Sequence, residues 1–124
     1  MDIKDLQEKA KKFIDEREWR QFQTSKELAI NMSVESNELL ELFQWRDGKE
    51  IDDLLKSGKD PELYKKIQNE TSDIFFSALA IADHLNFDMG DAFLSKMDAL
   101  AKRYKIEEVK GKVIKIPEYS ENKE

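Results

Sequence analysis

Four carboxylates stand in two pairs, Glu35 with Glu38 and Glu70 with Asp73, each pair three residues apart. On an α-helix that spacing puts both members on one face, one turn apart. Their setting says more than their spacing. Leu28, Met32, Glu35, Leu39 and Leu42 recur at 4-3-4-3 intervals, the pattern of a helix seam, so Glu35 stands inside an apolar row. Ile67, Glu70, Ile74, Ser77 and Ile81 repeat the arrangement at 3-4-3-4, with Glu70 inside. A seam carboxylate loses hydration, which is costly unless the group is protonated, paired or metal-bound. Carboxylates crowded on two facing helices repel one another unless cations sit among them. Hard oxygen donors, with no cysteine and no suitably placed histidine, favour Mg²⁺ or Mn²⁺ over zinc. Magnesium retains waters and is commonly shared with substrate phosphates, so the chemistry suggested is metal-assisted hydrolysis of a phosphoanhydride.

Two blander or rival readings sit beside this one. In a chain 39% charged, such pairs also arise on solvated helix faces, and only the seam placement sets these apart. A di-iron carboxylate bundle needs histidine three residues after glutamate; the one histidine, His84, has Ile81 at that position.

The balance of 21 basic and 27 acidic residues, net −6, argues against a binder of nucleic-acid polymers while leaving room for a small anion held through a cation. The absence of cysteine excludes disulfides and thiolate chemistry. The opening MDIKDLQEKAKK lacks the apolar core of a signal peptide, and the longest apolar run, around Ile74 to Ala82, falls far short of the ~20 residues of a membrane span. A cytoplasmic protein with no membrane partner is the expectation.

The elements that must position the carboxylates read as follows. A first helix runs from Ile3 to about Glu18, with Ile3, Leu6, Ala10, Phe13 and Ile14 as its apolar side. Thr24 or Ser25 offers a capping hydroxyl to a second helix, from about Lys26 to Arg46. Asp47 to Asp60 reads as a connection, with at most a helical turn at IDDLLK. Asp60-Pro61 is a strong start for a third helix reaching about Asn86, an N-cap carboxylate followed by proline at the first helical position. Its second half, IFFSALAIADHL, is apolar nearly all round, as suits a bundle centre or a subunit interface. A fourth helix begins near Asp88 or Gly90 and ends near Tyr104, with Ala92, Phe93, Met97, Leu100 and Ala101 inward. The expectation is one all-α, four-helix bundle domain over 1–104, followed by a tail over 105–124 with a brief extended piece, VIKIP, and a disordered SENKE.

Trp19 to Gln23, WRQFQ, carries two aromatics into a polar connection. On spacing alone Trp19 and Trp45 suit core or interface packing first, and the functional reading beside it is a stacking surface for a nucleobase. Lys96, Lys102 and Arg103 on the fourth helix could meet phosphates or simply face water.

Taken together, ERE-W-RQF (Glu16 to Phe22), SVESNELLELFQW (Ser33 to Trp45), ETSD (Glu70 to Asp73) and SKMD (Ser95 to Asp98) resemble the MazG-like nucleotide pyrophosphohydrolases, closest to the small, single-domain dCTP pyrophosphatase-type group. The resemblance runs from about Leu6 to Tyr104. It implies an all-α fold assembled as a homodimer or homotetramer, with sites at helix and subunit contacts. It also implies cleavage of a (deoxy)nucleoside triphosphate between the α and β phosphates, releasing a monophosphate and pyrophosphate, as nucleotide-pool housekeeping. Glu35, Glu38, Glu70 and Asp73 map onto the family's Mg²⁺ ligands, and one of them would orient the attacking water. Trp19, Phe22, Gln23 and Trp45 map onto its base-binding region, and Lys96 and Arg103 are the candidates for the phosphates. Val34 stands where the family often has a further glutamate, Gln23 where close relatives have histidine, Ser77 where cytosine-preferring members carry tyrosine, and Leu100 closes a KMDxN pattern. Val34 removes a possible extra carboxylate but leaves the four-ligand set intact, and the other departures concern base and sugar recognition. The same residues also fit a helical module without turnover, or a hydrolase of another pyrophosphate compound.

Overall fold

The computed structural model of the chain describes residues 1–116. They form α1 (Ile3–Glu16), a 3₁₀ turn (Arg20–Phe22), α2 (Ser25–Glu41), α3 (Gly48–Lys56), α4 (Pro61–His84), α5 (Met89–Arg103) and the short α6 (Ile106–Val109), with no strand among the described residues. The all-α expectation stands, but the described residues form six α-helices and not four.

The longer of the two extra helices, α3, has a local start and a tertiary support. The Asp47 side chain accepts from the Glu50 amide, so the stretch expected as a connection starts as a properly capped helix. Ile51 and the half-buried Leu54 and Leu55 then give it an apolar side to lay on α4. α6 is a single turn in the stretch expected as tail, and Lys112 to Ile116 is neither helix nor strand. The expectation for SENKE lies outside the described residues. α2 also stops earlier than its apolar run suggests. After Glu41 the chain passes through tight turns, and Trp45 takes a left-handed backbone (φ 65°) that no helix can continue.

Carboxylates and hydroxyls start the longer helices. Asp2 and Asp5 form a reciprocal capping box on α1, Thr24 caps α2, Asp60 caps α4 ahead of Pro61, and Asp88 caps α5. Each satisfies a backbone N–H that the first helical turn leaves without a partner.

α4 is the centre, in contact with α1, α2, α3 and α5, and its most extensive partner is α2. Ile14, Leu28 and Ala80 form the heart of the core, flanked by Phe76 and Ile81. Gln7 ties α1 to the α4–α5 corner: its amide donates to the Phe87 carbonyl at 2.9 Å and accepts from the Met89 amide at 3.0 Å. The fully buried set is small, and large apolar side chains remain open on the outer sides of α2 (Ile30, Val34, Leu40) and α5 (Phe93, Leu94, Met97). Phe93, Met97 and Ala101, expected inward, are thus outward. α5 meets α1 and α4 with a narrow face that includes Ala92 and Leu100 and leaves the rest of the helix open. No helix among the described residues is long and apolar enough to cross a membrane.

Candidate metal centre

Packing α2 along α4 brings the two seam rows together. Leu28, Met32, Glu35, Leu39 and Leu42 are all buried or half-buried, and so are Ile67, Glu70, Ile74, Ser77 and Ile81. Glu35, Glu38 and Glu70 meet there, offering one carboxylate oxygen each within 4.8 Å of one another. Glu35 and Glu70 are half-buried, while Glu38, one turn beyond Glu35, faces solvent. The trio therefore has a dry side and a wet side.

Glu35 Oε2 and Glu70 Oε2 are buried and accept no hydrogen bond. An unpaired buried acceptor costs roughly 1–3 kcal/mol, more when charged. Burial first, then the charges of Glu38 and Asp73, push the Glu35 carboxyl from an ordinary 4.5 up to about 7. Glu70 is raised as well, again by burial first and by Glu38 next. A cation would serve both orphan oxygens and cancel the mutual repulsion. All-oxygen donors with one side open to water suit a hard divalent ion that keeps part of its hydration shell. The residues present fit Mg²⁺ or Mn²⁺.

Asp73 is exposed and outside this trio, although its charge acts on both Glu35 and Glu70. It lines the mouth of a largely apolar groove of about 580 Å³ between α1 and α4, with Leu6, Ala10, Phe13, Phe76 and Leu79. Of the four carboxylates singled out by spacing, three converge and the fourth stands next to them.

The aromatic candidates occupy two places. Trp19, just before the 3₁₀ turn, is 46% exposed and meets Phe13 edge-on, ring centres 5.6 Å apart. Phe13 in turn meets Phe76 edge-on at 5.8 Å and carries the Arg17 guanidinium 3.7 Å above its ring. The Phe22 side chain is open, whereas Gln23 is half-buried, with its Oε1 buried and unpartnered. Trp45 is 98% exposed at the far end of α2, beside Asp47, Glu50 and Leu54 of α3. Ser77 is 2% exposed, its hydroxyl donating to the Asp73 carbonyl one turn earlier, so it belongs to the helix interior. Lys96 is exposed on α5, and the half-buried Arg103 lies over the Tyr104 ring and donates to its hydroxyl.

Spacing did not single out Phe13 and Phe76, which link the groove to Trp19, nor Arg20, which bridges α1 and α4. Phe13 was legible as part of the apolar side of the first helix. Arg20 carries no such signal, because Asp83 lies 63 residues away.

A family model described as MazG-like matches residues 30–116, well over half of the chain, and spans both halves of the carboxylate cluster. The chain belongs to the MazG-like family. Among curated proteins this MazG-like chain is 32% identical to bovine dCTP pyrophosphatase 1 (Bos taurus) over 113 residues, 91% of the chain and 65% of the relative. It is 33% identical to the human dCTP pyrophosphatase 1 (Homo sapiens) over 102 residues, 82% of the chain and 58% of the relative. The mouse protein of that name (Mus musculus) matches at 30% identity over 113 residues. The MazG-like chain thus spans less than two thirds of the length of these relatives.

Proposed function

We propose that this MazG-like chain is a divalent-cation-dependent nucleoside triphosphate pyrophosphohydrolase, converting a (deoxy)nucleoside triphosphate and water to the monophosphate and pyrophosphate. One observation carries the reading: two buried carboxylate oxygens without partners, Glu35 Oε2 and Glu70 Oε2, beside Glu38 on a helix seam. A protein gains nothing in stability from that arrangement unless a cation completes it. Glu35, Glu38 and Glu70 would hold Mg²⁺ (or Mn²⁺), with Asp73 joining by a side-chain rotation. The bound cation would supply charge neutralisation at the phosphates and an acidified water. One of the carboxylates would orient the attacking water toward the α-phosphorus and take up its proton, while the α–β bridging oxygen leaves with pyrophosphate.

The base belongs on the aromatic side. Trp19, Phe22 and Gln23 border it from the 3₁₀ turn, and Trp45, at the far end of α2, is a separate exposed stacking surface. Lys96 and Arg103 are the cations assigned to the phosphates. Ser77, with its hydroxyl turned to the helix backbone, bears on the substrate only through the shape of the wall. The open apolar side chains of α2 and α5 offer a surface for a second copy, which supports a homodimer or homotetramer. The dCTP named for the relatives makes dCTP the first compound to try, beside modified dNTPs.

The test is pyrophosphate release from a panel of dNTPs and NTPs, with Mg²⁺ or Mn²⁺ and with chelator, beside Glu38→Gln. Cation-dependent release that is lost in the variant supports the assignment. Release from no triphosphate, under any cation, refutes it.

A further inference from the structure

Arg20 is unusually committed for a residue in a short turn. Its Nε donates to Asp15 Oδ1 of α1 at 2.8 Å, and its Nη2 donates to Asp83 Oδ2 of α4 at 2.6 Å. The Asp83 side chain is only 10% exposed, so this second contact is sheltered. Hydrogen bonds to the two carboxylates raise the Arg20 pKa, and Arg20 in turn lowers that of Asp15. A planar guanidinium fork can satisfy two carboxylates in fixed directions, which a lysine ammonium cannot do with the same geometry.

The backbone of the turn hangs on this residue. The Phe22 amide donates to the Trp19 carbonyl at 2.9 Å and the Gln23 amide to the Arg20 carbonyl at 3.1 Å, so Trp19, Phe22 and Gln23 share one small rigid unit with Arg20. Its approach to α1 passes through Glu18 in the left-handed region (φ 53°), a conformation that needs support from outside the turn. On its other side the unit is held by the edge-on contact of Trp19 with Phe13, and through Phe13 with Phe76 of α4. The aromatic chain fixes how far Trp19 stands from the groove, and the Arg20 fork fixes the direction from which it arrives.

We infer that Arg20, clasped between Asp15 and Asp83, is a positioning residue that holds the Trp19 turn against α4 and thereby sets the wall for the nucleobase. This rests on the nucleotide reading given above. The side-chain partners of Arg20 are Asp15 and Asp83 and not the carboxylate trio, so its loss should act on substrate affinity and leave the chemical step largely intact.

The experiment compares wild type, Arg20→Met, Arg20→Lys and Asp83→Asn on the triphosphate that wild type hydrolyses best. In Arg20→Met and Asp83→Asn, KM should rise on the order of tenfold, within the span that loss of one base-stacking surface covers, with kcat changed less than about twofold. Arg20→Lys should fall between these variants and wild type. In a Trp19→Ala background the added effect of Arg20→Met on KM should vanish, since Arg20 acts through Trp19. Acrylamide quenching of tryptophan emission, against the constant contribution of the exposed Trp45, should increase in Arg20→Met. If Arg20→Met does not fold, Asp83→Asn carries the same comparison. Unchanged KM in an active variant, an equal loss of kcat, or full additivity with Trp19→Ala overturns this inference alone. Absence of pyrophosphate release from the wild-type protein overturns the functional reading, and the role of Arg20 toward substrate with it.

Discussion

Replacing Glu35 by glutamine should make the metal-free protein more stable at neutral and alkaline pH. Glu35 titrates near 7 in the folded chain against 4.5 for an ordinary glutamate, so folding opposes its ionisation. Between those values the folded state holds a proton that the unfolded state has lost, and stability therefore falls as pH rises. The loss begins near the ordinary glutamate range and is complete above the folded value. At ~1.4 kcal/mol per pH unit the gap corresponds to an upper bound of roughly 3 kcal/mol. Water reaches the trio from the Glu38 side, and discounting for that screening leaves about 1–2 kcal/mol. For a chain of this size that is roughly 3–8 °C in Tm. The assay is thermal unfolding followed by circular dichroism, in chelator, at pH 5 and pH 8. The difference between wild type and Glu35→Gln isolates this carboxyl from other titrating groups. Wild type should lose stability relative to the variant between the two pH values, and the variant should be the more stable at pH 8. Saturating Mg²⁺ should then reverse the order, because a ligand that binds only the folded state at a hundred times its Kd adds ~2.7 kcal/mol and the variant has lost one of its ligands. A Glu35→Gln protein less stable than wild type at pH 8 in chelator would refute the reasoning.

Three further outcomes are expected. Trp45→Ala should leave Tm within about 1 °C of wild type, since its side chain is almost wholly exposed and gives up no packing, yet raise KM on the order of tenfold in steady-state assays. Ile14→Ala removes a side chain with no exposed surface from the centre of the core and should cost about 2–4 kcal/mol in urea unfolding. Sedimentation equilibrium should report two or four chains per particle, and Leu94→Glu on the open side of α5 should shift that particle toward single chains without loss of helical signal.

The seam was legible because it depends on one period within one helix. Glu35 and Glu70 interrupt apolar rows that survive intact in the folded chain, and no knowledge of the partner helix was needed to see them. Thr24, Asp60 and Asp88 were equally readable as helix starts, since a cap acts on amides two or three residues away. Asp47 is the same device, but the acidic, glycine-flanked stretch after it masked a nine-residue helix whose stability comes from contact with α4. That Asp73 stays exposed outside the trio follows from packing and not from its interval of three. Which faces of α5 would stay open also depended on a partner, because Phe93 and Met97 follow an inward-looking period and only α1 and α4 decide where inward lies. The Arg20 clasp was out of reach for the same reason: no local pattern joins a turn to an aspartate 63 residues on.

The ties of α1 bear on the order of events at the ribosome. Gln7 waits for Phe87 and Met89, Ile14 for Ala80, and Arg20 for Asp83. At 5–20 residues per second, the first helix spends roughly 4 to 16 s outside its final surroundings. At 14 residues it is too short to persist well as an isolated helix in water. The α2–α4 hairpin can close first, around the carboxylate trio, and α1 docks onto a scaffold already in place. A nascent chain caught before Ala80 and Asp83 have emerged would then display the acidic cleft of α2 and α4 with the Trp19 turn not yet beside it.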